Sequence, residues 1–192
     1  MILNFFKKNS APDRQPQFEE LFMPHMGSLY GIACGWTSDT HAAEDLVQEL
    51  AIKVSQRVAE MRTIEKLHPW LVTIMYRMFV DSYRRQKNSP VTLVGKEQLH
   101  ELENHEDHAV DFDDALDNEQ LKVQLRVALN RLEPELRATL VLFELEGYSL
   151  KDIAEIQGIG LGTVKSRLHR AKDKLKNSLN WEPFGNEPRV NK

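Results

Sequence analysis

From Leu132 to Leu179 the chain carries a succession of helix-start and helix-stop signals that few folds satisfy. In Leu132-Glu133-Pro134-Glu135-Leu136-Arg137, Pro134 suits the first turn of a helix, where its missing N–H is not needed. That helix is expected to run to Glu146 and to stop at Gly147, because glycine accepts the left-handed backbone that ends helices. Ser149-Leu150-Lys151-Asp152 has the spacing of a capping box opening a short helix through Gln157. Gly158-Ile159-Gly160 makes a tight turn, and a last helix runs to about Leu179. A helix, a short helix, a glycine turn and a basic helix form the layout of a helix-turn-helix, whose second helix enters the DNA major groove.

Placing the last helix on a wheel at about 100° per residue separates its faces. Val164, Leu168, Ala171 and Leu175 fall together and must face a core. Ser166, His169 and Arg170 fall opposite, with Thr163 beside them, and Lys165 and Arg167 flank that face. Hydroxyl, imidazole and guanidinium groups suit base edges, while rim cations suit phosphates. A solvated basic helix is the other reading of such a stretch; the capped helix and glycine turn before it favour DNA.

The net charge of −4 argues against a nucleic-acid binder until its distribution is examined. Thr163 to Lys176 carries six Lys or Arg against Asp173 alone, and Arg62 to Lys87 carries six against Glu65 and Asp81. The acid gathers between them: Glu97 to Glu119 holds ten carboxylates and no Lys or Arg. Two basic patches around an acidic stretch fit a nucleic-acid partner better than an even charge does.

The first half reads as three helices. Phe18, Leu21, Phe22, Leu29, Ile32 and Ala33 stripe a helix from Phe18 to Trp36, with a kink or restart expected at Pro24. Thr37-Ser38-Asp39-Thr40 is a turn that offers an N-cap. His41 to Glu60 is amphipathic through Leu46, Leu50, Val54 and Val58. Met61 to His68 is a loop, and Pro69 opens a third helix to about Gln86. The fold class is therefore all-α: two small helical domains joined by an acidic linker, the second ending in the helix-turn-helix. The divisions are a tail at 1–16, a domain at 17–87, the linker at 88–115, a domain at 116–179 and a tail at 180–192.

These motifs, in this order, resemble the extracytoplasmic-function (ECF) group of bacterial RNA polymerase sigma factors. Ala43-Glu44-Asp45-Leu46-Val47-Gln48-Glu49 is similar to the family's region 2.2. Pro69-Trp70-Leu71 through Ile74 to Asp81, then Arg84-Arg85, is similar to regions 2.3 and 2.4, and the helix-turn-helix to region 4. Three positions depart: many relatives carry Arg-Asn where this chain has Tyr76-Arg77, and proline where it has Gly160. The resemblance implies that Asp45, Gln48 and Glu49 dock on the basic clamp helices of the polymerase largest subunit, where carboxylates meet arginines in charge-assisted bonds. It implies a −10 DNA surface of Arg62, Lys66, Trp70, Arg77, Arg84 and Arg85, whose aromatic and basic residues suit single-stranded bases and phosphates. A flipped base would lie in the Arg62 to His68 loop. Phe79 belongs to the core, and Trp70 is divided between core and base stacking. The −35 surface would be Lys165, Ser166, Arg167, His169 and Arg170. The implied partners are core polymerase, including the flap region of its second-largest subunit, promoter DNA and an anti-sigma factor.

A free-standing helix-turn-helix regulator explains Leu132 to Leu179 but leaves the first domain without a task. A metal site on His100, His105 and His108 is the third reading; their loose spacing matches a solvated linker better. No catalytic constellation, metal site or cofactor is expected, so the chain reads as a non-enzyme. One cysteine, Cys34, excludes an internal disulfide and reads as a buried thiol. No apolar run approaches the length of a membrane span and no signal peptide is evident, so no membrane insertion and a cytoplasmic location are expected.

Overall fold

The computed structural model describes residues 15–88 and 119–179. Residues 1–14, 89–118 and 180–192 lie outside the described residues; they hold the acidic linker beyond Asn88 with its three histidines, the C-terminal tail, and all of the N-terminal tail but Gln15 and Pro16, which begin α1. Every regular element among the described residues is a helix. The first unit holds α1 (Gln15–Thr37), α2 (Thr40–Ser55), α3 (Val58–Met61) and α4 (Leu67–Asn88). The second holds α5 (Glu119–Asn130), α6 (Pro134–Glu144), α7 (Leu150–Gln157) and α8 (Leu161–Ser178).

Of the kink or restart expected at Pro24, the restart does not occur: α1 continues through it as one helix. A proline inside a helix costs about 3 kcal/mol. Core packing on both sides offsets this, since Phe18 and Phe22 before it and Leu29, Ile32, Ala33 and Trp36 after it are all buried. The turn to α2 is tight. Ser38 takes a positive φ of 56°, and the Asp39 carboxylate caps α2 by accepting the Ala42 N–H at 2.7 Å.

The single helix expected from His41 to Glu60 is broken at Gln56 and Arg57. No glycine or proline marks the break. Val58 and Met61 turn into the core beyond the break, and Arg57 forms a local fork to Glu60, three residues on, at 2.7 and 2.6 Å. The third helix begins two residues before Pro69, which sits in its first turn.

In the second unit, α6 ends at Glu144 rather than Glu146, and Gly147 takes φ +68° just beyond it. The Tyr148 N–H then returns to the Leu142 carbonyl at 2.9 Å, closing the helix end. The capping box is present in both directions: Ser149 Oγ accepts the Asp152 N–H, and the Asp152 carboxylate accepts the Ser149 N–H. Gly158, at φ +65°, ends α7.

Two cores result. A small one joins Leu129, Leu132, Leu136, Leu140, Leu168 and Ala171. The larger one is built on the first unit but extends through Ala138, Val141, Leu142, Ile153, Ile156 and Val164 of the second. The two units thus share apolar packing. Gly35 of α1 faces α6, and an added Cβ there would lie 2.9 Å from Val141 Cγ1.

Candidate nucleic-acid interface

Helix α8 follows the wheel. Val164, Leu168 and Ala171 are buried and Leu175 half-buried, while Thr163, Lys165, Ser166, His169 and Arg170 are exposed. Ser166 Oγ donates to the Thr163 carbonyl at 2.9 Å, and Arg170 Nε to the Ser166 carbonyl at 3.3 Å. His169 approaches Asp173 at 3.2 Å. Lys172 and Lys174 turn elsewhere, to Glu144 at 2.6 Å and Glu133 at 2.5 Å at the two ends of α6. The Lys174 contact draws the Glu133 carboxyl below its ordinary range. The solvent-facing group is therefore Lys165, Ser166, His169 and Arg170.

Arg167 is set apart from them. Its Nη1 donates to Gln157 Oε1 at 2.8 Å and lies 3.3 Å from the Tyr76 hydroxyl of α4. Gln157 is itself buried and donates from Nε2 to Thr139 Oγ1 at 3.0 Å, and Thr139 donates to the Glu135 carbonyl at 2.7 Å. A polar chain therefore runs from α6 through α7 and α8 to α4.

Arg137 had no place among the sequence candidates, yet it is a main polar connection between the units. Its guanidinium donates to the Trp36 carbonyl at 2.7 Å and to the Asn130 carbonyl at 2.9 Å. Both carbonyls lie at helix C-termini, where the partial charge is negative and the last C=O groups lack helical partners. Burial lowers its pKa to about 10, which leaves it charged at neutral pH. An arginine inside the apolar run Leu136 to Leu142 was the available signal.

In the first unit, Asp45 and Glu49 are exposed and Gln48 is half-buried on α2, opposite the buried Leu46, Val47 and Leu50. Ile52, 43% exposed, lies one turn further along the same face. Arg62 and Lys66 are exposed on the loop, and Arg77, Arg84 and Arg85 on α4. Arg84 reaches Glu135 of α6 at 3.4 Å. Trp70 is half-buried, with the Arg57 guanidinium 4.8 Å from its ring centroid. Phe79 is buried and stacks on Trp36 at 5.4 Å. Cys34 is buried.

A hydrogen-bonded chain missed by sequence reading joins the units beside these surfaces. Ser28 Oγ donates to Glu146 at 3.1 Å, His68 Nε2 lies 3.0 Å from Ser28 Oγ, and His68 Nδ1 lies 2.7 Å from the Tyr148 hydroxyl. The single Ser28 proton goes to the carboxylate, so Ser28 accepts from His68 Nε2–H and His68 Nδ1 accepts from Tyr148. Among the described residues no cluster of side chains could hold a metal ion, and no helix is long and apolar enough to cross a membrane.

Comparison with known proteins agrees with this architecture. Residues 21–89 match the model of sigma-70 region 2, and residues 122–175 match that of sigma-70 region 4. The fold and the two matched regions define a protein of the sigma-70 class. The ECF RNA polymerase sigma factor SigE of Mycolicibacterium smegmatis is 31% identical over 173 residues, 85% of this chain and 62% of SigE. This chain thus spans less than two thirds of SigE's length. The RNA polymerase sigma factor CarQ of Myxococcus xanthus is 29% identical over 167 residues, 86% of this chain and 90% of CarQ. A solved structure of the sigma factor RpoE in complex with the anti-sigma factor NepR from Bartonella quintana gives a TM-score of 0.61 at 27% identity, covering 86% of this chain and 98% of that one. The chain belongs to the ECF group of RNA polymerase sigma factors.

Proposed function

We propose that this chain is a dissociable polymerase subunit that selects promoters and helps open them. Its carrying observation is the exposed Lys165, Ser166, His169 and Arg170 face of a capped helix-turn-helix, joined in one chain to an acidic helix face at Asp45, Gln48 and Glu49. In this reading the α2 face docks on the basic clamp helices of core polymerase. Helix α8 reads the −35 element in duplex form through base edges and phosphates. The Arg62 to His68 loop, with Trp70, Arg77, Arg84 and Arg85, holds the −10 element as single strand. Arg167 joins the −35 surface once it leaves Tyr76. The second unit also meets the flap region of the second-largest subunit. The chain acts without catalysis or cofactor of its own, works in the cytoplasm where polymerase is, and is held in check by an anti-sigma factor.

The test is the double variant Asp45→Arg with Glu49→Arg. Both side chains are solvent-facing, so helix content in circular dichroism should be retained. Removing one partner of a desolvated interfacial pair costs about 2–5 kcal/mol, and two charge reversals should abolish capture of core polymerase. A folded double variant that still assembles a transcribing complex would overturn the docking face.

A further inference from the structure

The break between α2 and α3 brings together Arg57, Glu60 and Trp70. Arg57 is the N-cap residue of α3, and its backbone leaves the helical region there at φ −116° and ψ 26°. Its Nε and Nη2 donate to the two carboxylate oxygens of Glu60 at 2.7 and 2.6 Å, so the planar guanidinium is gripped at two points. That guanidinium lies 4.8 Å from the centroid of the Trp70 ring. The side chains of the pair are 39% and 42% exposed, and an ion pair so open to solvent contributes little to stability. It does fix a direction: the fork permits one orientation of the guanidinium, where the ammonium of a lysine would permit many.

The same contacts tie the two ends of the Arg62 to His68 loop. On the entry side, the Glu60 carbonyl accepts from the Thr63 N–H at 2.9 Å and from Thr63 Oγ1 at 2.8 Å. On the exit side, the Trp70 N–H donates to the Lys66 carbonyl at 3.3 Å. Arg57 bridges the two sides, so the connection runs from Thr63 through Glu60, Arg57 and Trp70 back to Lys66. Trp70 itself is half-buried: it packs on the large core, carries the guanidinium over its ring and keeps part of its surface in solvent. A partly exposed indole beside a basic loop suits the stacking of an unpaired base, and stacking depends on how the ring is presented.

We propose that Arg57, oriented by Glu60, is a positioning residue for promoter opening: it sets the Trp70 ring and the ends of the adjoining loop for single-stranded bases without itself touching DNA. The inference rests on the −10 reading above for its consequence, and on the contacts alone for the arrangement. It gives the break at Gln56 and Arg57 a use beyond burying Val58 and Met61, since the short turn of α3 puts the carboxylate of Glu60 within reach of Arg57 three residues before it. Two different disturbances must then have one effect. Glu60→Gln loosens the fork and Arg57→Ala removes the cation, and each releases the ring. An arginine that instead held a phosphate would be freed, not impaired, by Glu60→Gln.

Fluorine NMR of the full-length free chain labelled with 5-fluorotryptophan tests the arrangement. The chain has three tryptophans, and Trp70→Phe and Trp181→Phe assign their resonances. The Trp70 resonance should move in both Arg57→Ala and Glu60→Gln, while that of Trp36, buried in the core, stays in place and reports an intact fold. Should Arg57→Ala disturb Trp36, Arg57→Lys takes its place, since it keeps the charge and the stem but cannot form the fork. The consequence is read on the complex with core polymerase, using a pool of single-stranded DNA of about 20 nucleotides randomised at its centre. Arg57→Ala and Glu60→Gln should each retain the pool about two- to fivefold less than the unaltered chain, the range of an exposed cation–π contact, and select a less defined sequence. Capture of core polymerase should be unchanged. Adding Arg57→Ala to Trp70→Leu should lower retention no further, because the arginine acts through the ring. An unmoved Trp70 resonance overturns the inference. So does a loss of retention in Arg57→Ala that Glu60→Gln does not share, which makes Arg57 a direct phosphate contact, and so does unchanged retention in both. If the unaltered chain with core polymerase retains no strand, the −10 reading fails and the consequence with it, while the Trp70 resonance still decides whether Arg57 and Glu60 hold the ring.

Discussion

In the proposed reading, individual side chains on α8 divide the work of recognition. Arg170 is exposed on the central face, whereas Lys165 lies at its rim. Arg170→Ala should cost about 1–3 kcal/mol at the preferred promoter and relax selectivity at one base pair, as loss of a bidentate contact does. Lys165→Ala should weaken binding to all sequences alike and flatten the salt dependence, as loss of a phosphate contact does. Fluorescence titrations on matched and mismatched duplexes at several salt concentrations separate the two. The wheel placed these residues in advance, because helical period alone decides which groups face solvent. Periodicity carried no information about His68, whose partners Ser28 and Tyr148 are 40 and 80 residues away in sequence. Burial, and then the neighbouring His25, hold His68 below its ordinary value of 6.5. His25 is itself lowered by burial. The packing of the two units therefore has its full His68 contribution above about pH 6.5 and loses it as pH falls toward the lower folded-state value. Glu146 opposes this at more acidic pH: burial raises its carboxyl, so protonation there favours the packed state. Tyr148, pushed up to about 12 by burial, stays neutral throughout. The urea midpoint of the chain should fall from about pH 7.5 to about pH 6, and His68→Gln should flatten that dependence. A slope unchanged in His68→Gln would place the titration elsewhere.

At the scale of the element, turn chemistry was the most legible part of the chain. The Ser149–Asp152 box, Gly147 and Gly158 lie where the sequence put them, since each answers a local demand for a cap or a positive φ. Continuity was less legible. Nothing local announces the break at Gln56, and nothing local reveals that α1 survives Pro24, because both outcomes depend on what Val58, Met61, Phe22 and Leu29 pack against. Gly160 offers a further test. It is the N-cap of α8 at φ −68° and ψ 149°, and a Cβ there would meet nothing within 4 Å. Its φ is that of proline, and it uses none of glycine's freedom. Gly160→Pro should stabilise the protein by about 0.4–1 kcal/mol by restricting the unfolded chain. A urea midpoint that rises at constant slope supports this; a lower midpoint would show that Ile159 cannot adopt the extended backbone that must precede proline.

At the scale of the whole molecule, the all-α class, the two units and their family were legible, since each unit carries its own motifs. Their packing on one another was not. Ala138, Val141, Ile153 and Ile156 read as parts of a helix-turn-helix core, and nothing in their spacing says that the first unit covers them as well. Gly35 shows the difficulty: it lies in an apolar helix, and its reason is a valine 106 residues further along. The acidic segment between the units lies outside the described residues, so its reading rests on charge alone. The account's central claim is that the chain commits core polymerase to particular start sites. Its most direct test is transcription of fragmented genomic DNA by core polymerase freed of other sigma factors, with and without the purified chain, followed by mapping of RNA 5′ ends. The account predicts a set of chain-dependent starts that share an upstream and a downstream element and that vanish with Asp45→Arg and Glu49→Arg. Chain-dependent footprints on duplex DNA with no chain-dependent starts would contradict it.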